Sequence, residues 1–475
     1  MHSLLSRVTP SAGEFYYIAE WLVRLGALGI LPWRRSPAAV RSWLLLIFFL
    51  PIPGLILFLM IGRPKFPKWR HDRFRALDPF ATAIAERLSA AAAPTLDTAE
   101  REVSGLACTL GRLPPVAGNA VDLLDDYDEV IDRLVADIDG ARIHVRILAY
   151  IFADDRQGVR VIDALGRAVA RGVPCHVILD PVGSHQWRAG AIAKLEAAGV
   201  AVREALPFRW LRDRTRRDMR NHRKLFVIDG AIGYAGSQNI VAKDFAPGIV
   251  NHELVVRATG PVVAEMATVF IADWYLETEE MLEAEPAIPA PAGDAICQLL
   301  PSGADFPLEG FETLLVWQMH RACTRAMIVT PYLIPDDDLI GAMRTAVARG
   351  VTVDLVVSKV VDHRIVNLAQ SSYYDELMAA GVRVHRYRDE LLHAKNLSID
   401  GRLGIAGSSN VDIRSFQLNE EVSLLLLDPA SIARLEKVQQ GYLDRSELLD
   451  LTQWRRRSRL RRTGEAIARL VSPLL

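Results

Sequence analysis

One α/β pattern occurs twice along this chain. Residues 143–153 (IHVRILAYIFA) and 327–334 (MIVTPYLI) have the apolar, β-rich composition of buried strands. Each leads into acidic residues and a helical pattern closed by the same six residues, Ala-Val-Ala-Arg-Gly-Val, at 168–173 and again at 346–351. A second strand follows at 175–180 and 353–358. Further helical stretches end at 195–200 and 377–382, each with a glycine where a helix closes. Strands alternating with helices imply a sheet covered by helices, so the expected fold is α/β, two copies of one α/β/α sandwich domain. Residues 283–294, with Pro286, Pro289 and Pro291 among Ala and Gly, read as a surface linker between the copies. Two such copies pack about a pseudo-twofold axis, where a site receives one set of residues from each.

Both copies carry the same polar constellation. The first has Asn221-His222-Arg223-Lys224 with Asp229, the second His393-Ala394-Lys395 with Asp400, a spacing of H-x-K-x4-D in each. Gly236-Ser237-Gln238-Asn239 and Gly407-Ser408-Ser409-Asn410 recur at the same distance from their histidines. Residues two apart on a strand share a face, so His222 with Lys224, and His393 with Lys395, project together. Asp229 and Asp400 complete the catalytic motif but have the opposite parity, which predicts that they point away or sit at the strand end, where a structural ion pair is favoured over direct catalysis. Ser237 with Asn239, and Ser408 with Asn410, share a face and supply substrate-binding donors. Two histidines, two lysines, two serines and two asparagines at one point suit a tetrahedral phosphate, with no metal or other cofactor. One histidine then serves as nucleophile, giving a phosphohistidine, and the other as acid and base; spacing alone does not separate the roles. An imidazole used this way needs a partner on its other nitrogen. Glu253 and Glu421, each opening an apolar strand after the Gly-Ser-x-Asn element, are the expected orienting carboxylates.

Charge is strongly partitioned. The 475 residues carry a formal net charge of -1, but residues 1–75 hold +8 and residues 451–475 hold +6, which leaves an acidic body of about -15. An acidic body disfavours a nucleic-acid partner, whereas basic ends suit anionic lipid head groups. Cys108, Cys175, Cys297 and Cys323 show no paired spacing and read as reduced core thiols rather than a disulfide or zinc framework. Residues 43–61 (WLLLIFFLPIPGLILFLMI) carry no charge over a membrane-spanning length. Pro51 and Pro53 interrupt them, and Arg34, Arg35 and Arg41 before and Arg63, Lys65, Lys68 and Arg70 after put basic residues on both flanks. The expectation is a re-entrant or strongly kinked segment, with a plain two-helix hairpin as the alternative and the body on the cytoplasmic side. Residues 15–33 are apolar apart from Glu20 and Arg24, an i,i+4 pair, and either span the bilayer or lie in its interface.

The paired motifs resemble those of the phospholipase D superfamily, and the whole chain resembles the bacterial cardiolipin synthases. The likeness extends to Ser36-Pro37-Ala38-Ala39, Asp180-Pro181-Val182-Gly183-Ser184, Thr330-Pro331-Tyr332-Leu333-Ile334-Pro335, and Asn410-Val411-Asp412-Ile413-Arg414-Ser415-Phe416 with Asn419 and Glu421. It implies two phospholipase D-like domains behind an N-terminal membrane segment, in the bacterial inner membrane. It also implies phosphatidyl transfer from one phosphatidylglycerol to another, releasing glycerol, with His222 as the usual nucleophile and His393 as acid and base. The rival within enzymes is a phospholipase D or phosphatidyltransferase using water or another alcohol. A nucleic-acid phosphodiesterase is disfavoured by the acidic body, and a silent scaffold by two intact motifs. A homo-oligomer is compatible with this reading.

The expected organisation is 1–75 membrane-associated, 76–282 first domain, 283–294 linker, 295–450 second domain and 451–475 basic amphipathic tail. The copies differ most before the histidine. There the first carries Phe208, Arg209, Trp210, Arg212, Arg214, Arg216, Arg217 and Arg220, expected either to grip a second anionic head group or touch the membrane surface, or to form a solvated loop. In the tail, Arg455, Arg456, Arg457, Arg459, Arg461 and Arg462 precede Ile467, Leu470, Val471, Leu474 and Leu475, a pattern suited to the bilayer surface.

Overall fold

A computed structural model describes residues 12–33, 37–62, 66–207, 218–306 and 308–471. Arg34, Arg35, Ser36, Arg63, Lys65, Phe208, Arg209, Trp210, Arg212, Arg214, Arg216, Arg217, Leu474 and Leu475 therefore lie outside the described residues. The chain forms two compact units, Met1–Lys65 and Phe66–Leu475.

In the larger unit the duplicated pattern builds one continuous sheet. From one outer edge inward the strands run Ala201–Glu204, Cys175–Leu179, Val145–Ala149, Leu225–Ile228, Ile232–Gly236, Val255–Thr259 and Val116–Leu124. From the other edge the order repeats as Arg383–Tyr387, Thr352–Ser358, Arg325–Val329, Asn396–Ile399, Leu403–Gly407, Glu421–Leu426 and Ala295–Ser302, with Ser446–Leu448 added outside. The three outer strands of each half are parallel, as crossover helices require, and the remainder antiparallel, as hairpins allow. Val116–Leu124 pairs antiparallel with Ala295–Ser302, so the halves join edge to edge. Residues 283–294 are neither helix nor strand.

Helices cover both faces because nearly every strand residue is buried, a pattern that leaves no polar face for solvent. The repeated Ala-Val-Ala-Arg-Gly-Val closes helices Arg156–Ala170 and Asp337–Ala348, with Gly172 and Gly350 in the left-handed region past each helix end. Cys175 and Cys297 are buried, but Cys108 is half-buried and Cys323 exposed, so only two of the four thiols belong to the core. Cys323 sits in the tight loop before strand Arg325–Val329, where backbone hydrogen bonding rather than apolar packing sets the chain.

In the smaller unit no described helix is long and apolar enough to cross a membrane. The uncharged stretch is divided into Pro37–Phe49 and Pro51–Ile61, which break at Leu50 because Pro51 has no amide hydrogen to continue the helix. The two pieces fold back on one another. The Trp43 and Phe58 rings lie 5.2 Å apart, and a side chain at Gly54 would come within 3.1 Å of the Ile47 backbone. With helix Ala12–Ile30 they enclose a small core of Ala27, Leu31, Val40, Ile47 and Phe58, while Arg24 bonds Glu20 at 3.2 Å and the Phe48 carbonyl at 3.1 Å. Large apolar side chains, among them Phe15, Trp33, Leu45, Phe49 and Leu59, remain exposed.

The basic tail is docked rather than free. Helix Arg459–Val471 lies on helix Arg364–Ala379, with Arg469 3.1 Å from Glu376 and Arg457 2.5 Å from the buried Glu465, and presents Leu460, Ile467 and Leu470 outward.

Candidate active site

His222 and His393 line one cavity of about 800 Å³ at the junction of the two halves, together with Tyr150, Tyr332, Asn239, Asn410, Glu253, Arg220 and Arg414. Each histidine lies on extended chain just before its strand, Leu225–Ile228 or Asn396–Ile399, and not within it. The segments bearing the histidines are stitched across the copies. His222 donates its amide to the Glu420 carbonyl and Glu420 donates to the Arg220 carbonyl, both at 2.8 Å. In the mirror arrangement, Leu391–Leu392 pairs parallel with Asn251–His252, and the His393 amide reaches the His252 carbonyl at 2.8 Å.

This stitching crosses the carboxylates. His222 Nδ1 lies 3.0 Å from both oxygens of Glu421, and His393 Nδ1 lies 2.7 Å from Glu253 Oε1. The orienting residues expected from the sequence are thus the partners present, but each copy's glutamate holds the other copy's histidine. Burial pushes His222 down to about 4 against the opposing pull of Glu421, so that ring is neutral near pH 7, and burial shifts His393 in the same direction. Burial works against the charge of Glu253 and Glu421 too, yet their histidine bonds outweigh it and hold both below the usual carboxylate range.

The lysines are buried behind the rings. Lys224 Nζ donates to the His222 carbonyl at 2.7 Å and lies 5.2 Å from the centre of the Tyr150 ring. Lys395 Nζ donates to the His393 carbonyl at 2.6 Å and approaches His393 Nε2 at 3.1 Å. Desolvation brings Lys224 down to about 7 and Lys395 to about 8, with the glutamates opposing the shift. Asn239 stands on the wall with its Oδ1 accepting from the Ile151 amide at 3.0 Å, and the buried Asn410 Oδ1 has no partner among the described residues.

Two expectations need correction. Ser237 and Ser408 are fully buried and do not face the cavity. Ser408 donates to Glu421 Oε2 at 2.5 Å, and Ser237 exchanges bonds with the Leu254 backbone at 3.0 and 3.1 Å. They brace the strands that carry the glutamates. Asp229 and Asp400 form no ion pair with a described residue. Asp229 accepts the amides of Arg142, Ile143 and His144 at 2.7–3.1 Å, and Asp400 those of Cys323, Thr324 and Arg325 at 2.7–2.9 Å. Each sits at a positive φ before a glycine, in the hairpin turn at the far end of the strand. Burial opposes the Asp400 charge, but the amides hold its pKa down.

The chain-wide comparisons agree with this geometry. The family model for the PLD-like domain of cardiolipin synthase matches residues 134–274 and 315–441. Cardiolipin synthase A of Erwinia tasmaniensis is 33% identical over 492 residues, covering 97% of this chain and 99% of that one. Its namesake from Salmonella arizonae is 34% identical over 487 residues with the same coverage. The chain belongs to the PLD-like cardiolipin synthase family. As a member of that family it is a phosphatidyltransferase. The fold also matches the crystal structure of a phosphatidylserine synthase from Haemophilus influenzae, with a TM-score of 0.59 at 15% identity over 79% of this chain and all of that one.

Other residues around this cardiolipin synthase site had no individual role assigned from the sequence, although Arg223 and Tyr332 stand inside motifs quoted above. Tyr150 and Tyr332 stand edge-on to His222 and His393, at 4.7 and 6.2 Å between ring centres. Tyr150 directly follows strand Val145–Ala149 while Tyr332 stands three residues past strand Arg325–Val329, so no matched spacing marks the pair. Arg223, the middle residue of the first motif, reaches the Glu421 carbonyl at 2.9 Å, Asp273 at 2.5 Å and Glu420 at 3.0 Å, so it clamps the segment holding the His222 partner. Its counterpart is Ala394, and no periodicity marks that difference.

Proposed function

We propose that this cardiolipin synthase joins two phosphatidylglycerols through a phosphohistidine on His222. The carrying observation is the pair of crossed His–Glu dyads on one cavity. With Nδ1–H donated to Glu421, His222 keeps a lone pair on Nε2, to which no described residue donates; His393 Nε2 is already met by Lys395. His222 Nε2 attacks phosphorus as the bond to glycerol breaks, and the leaving oxygen takes a proton that Lys395 passes on through His393 Nε2. The primary hydroxyl of a second phosphatidylglycerol then attacks phosphorus, its proton returns through His393 Nε2 to Lys395, and the P–N bond breaks. Two phosphatidylglycerols become one cardiolipin and one glycerol. Lys224, Lys395, Asn239 and Asn410 provide the charge and hydrogen bonds that hold the phosphate.

The bacterial cytoplasmic membrane is the proposed setting, with the body on its cytoplasmic side. The outward apolar side chains of the smaller unit support lipid contact. Helices of 13 and 11 residues are roughly 20 and 17 Å long, short of the roughly 30 Å hydrocarbon core, which favours a re-entrant hairpin over a span. Purified full-length protein incubated with phosphatidylglycerol should yield cardiolipin and glycerol, and His222→Ala and His393→Ala should each nearly abolish both. Phosphatidic acid as the sole lipid product, or wild-type rate in either variant, rejects this reading.

A further inference from the structure

The two dyads are nearly symmetric, but the charge around them is not. Two positions before His222 stands Arg220; two before His393 stands Leu391, and both line the cavity. Four positions after Asn410 stands Arg414, on the wall; four after Asn239 stands Lys243, which is committed to Asp128 at 2.7 Å and is not among the cavity-lining residues. Positive charge without a counterpart is therefore gathered on the His222 side.

Arg220 is held in an unusual way. Its side chain is only 2% exposed. Nε bonds Asp180 at 3.0 Å, and Nη2 bonds the carbonyls of Ala205 and Leu206 at 3.2 and 2.6 Å. Nη1 is buried and has no partner among the described residues. A carboxylate and two carbonyls thus immobilise a guanidinium that lines a polar cavity and keeps one buried donor without a described acceptor, an expensive arrangement unless an acceptor arrives. Asp180 is itself fixed by the amides of Val182, Gly183 and Asn221. Arg414 bonds the Asp218 carbonyl at 3.1 Å, and both guanidinium charges act on the buried phenol of Tyr150, the ring edge-on to His222.

We propose that Arg220 and Arg414 form an anion subsite that binds a phosphodiester oxygen of the lipid through Arg220 Nη1. This rests on the reading of the cavity as a phosphatidyl-transfer site and deepens it by adding contacts outside the repeated motifs. Two phosphodiesters visit the cavity, that of the donor and that of the acceptor, and one guanidinium chemistry recognises either.

The test separates binding from turnover. Inorganic phosphate is titrated against the full chain in detergent while thermal unfolding is followed. The apparent dissociation constant should rise about tenfold or more in Arg220→Gln and in Arg414→Gln, and less in Arg220→Lys. Arg414→Gln, whose side chain is only half-buried, covers the case in which Arg220→Gln leaves Asp180 unpaired and fails to fold. In parallel, cardiolipin formation is compared with exchange of labelled glycerol into phosphatidylglycerol, which uses a neutral acceptor. A fall in cardiolipin formation relative to exchange identifies the acceptor's phosphodiester; a parallel fall with weakened phosphate binding identifies the donor's. Phosphate binding unchanged in both glutamine variants overturns the subsite, whatever the rates do. Normal phosphate effects with no turnover by the unmodified protein would instead reject the proposed function.

Discussion

Replacing Glu421 by glutamine tests the crossed dyad most directly. Glu421 is wholly buried, takes His222 Nδ1 on both oxygens at 3.0 Å, and accepts the Ser408 hydroxyl on Oε2. Glutamine fills the same volume but has a single acceptor oxygen. Ser408 claims that oxygen, which turns the amide NH2 toward Nδ1 and moves the imidazole proton to Nε2, the nitrogen proposed to attack. Losing the charge-assisted bond alone is worth about 1.5–3 kcal/mol, or roughly 10- to 150-fold in rate. A wrong tautomer in comparable His–carboxylate pairs costs about 10⁴-fold. The expected loss in formation of the phosphatidyl-enzyme is therefore about 10²- to 10⁴-fold. Rapid-quench single turnovers with phosphorus-labelled phosphatidylglycerol, counting acid-labile label on protein, give the rate. Labelling within about threefold of wild type would refute both the tautomer argument and the cross-copy pairing.

Two other outcomes are expected. Because burial lowers Lys224 to about 7 and Lys395 to about 8, raising the pH removes cations from the empty site, so kcat/KM should decline above neutral pH. A bound phosphodiester anion favours the charged lysines, so kcat should begin to decline at higher pH; coincident alkaline limbs in the two profiles would contradict this. Asp229→Ala and Asp400→Ala each remove acceptors for three amides and place a Cβ-bearing, non-capping residue at positive φ, which together cost roughly 2–4 kcal/mol of stability. Thermal denaturation should register that loss, and activity lost at an unchanged melting temperature would instead make these carboxylates part of the chemistry.

What could be read in the sequence was local and duplicated. Each copy buries its own strands and closes its own helices, so apolar runs and helix-ending glycines carried the α/β pattern, and matched spacing carried the two histidines and two lysines. What could not be read depends on contacts between the copies. The choice of Glu421 for His222 follows from parallel bridges between segments nearly 200 residues apart, and no spacing encodes them. Parity correctly set Asp229 and Asp400 apart from the histidines, but parity gives a direction and not a partner. An ion pair was expected where the turn geometry of Asp-Gly supplies backbone amides. The serines were misread for a related reason. Alternation places Ser408 and Asn410 on one face only while the strand lasts, and the strand Leu403–Gly407 ends at the preceding glycine.

The crossing also explains why the halves share one sheet. Neither copy alone holds a complete dyad, so the chemistry depends on the copies keeping their relative position to within a fraction of an ångström, the tolerance of a hydrogen bond near 3 Å. A single seam would allow rotation about itself. Here the sheet seam between Val116–Leu124 and Ala295–Ser302 is joined by the bridge of Asn221 to Glu420 and by the pairing of Leu391–Leu392 with Asn251–His252. Arg434 adds a bond across the copies to the Val121 carbonyl at 2.8 Å. Opening the halves would break both dyads together, parting each histidine Nδ1 from its glutamate. The same buried pairings that prepare the imidazoles for reaction therefore hold the two copies in register, and the asymmetry around Arg220 and Arg414 is where one side of the cavity departs from that symmetry.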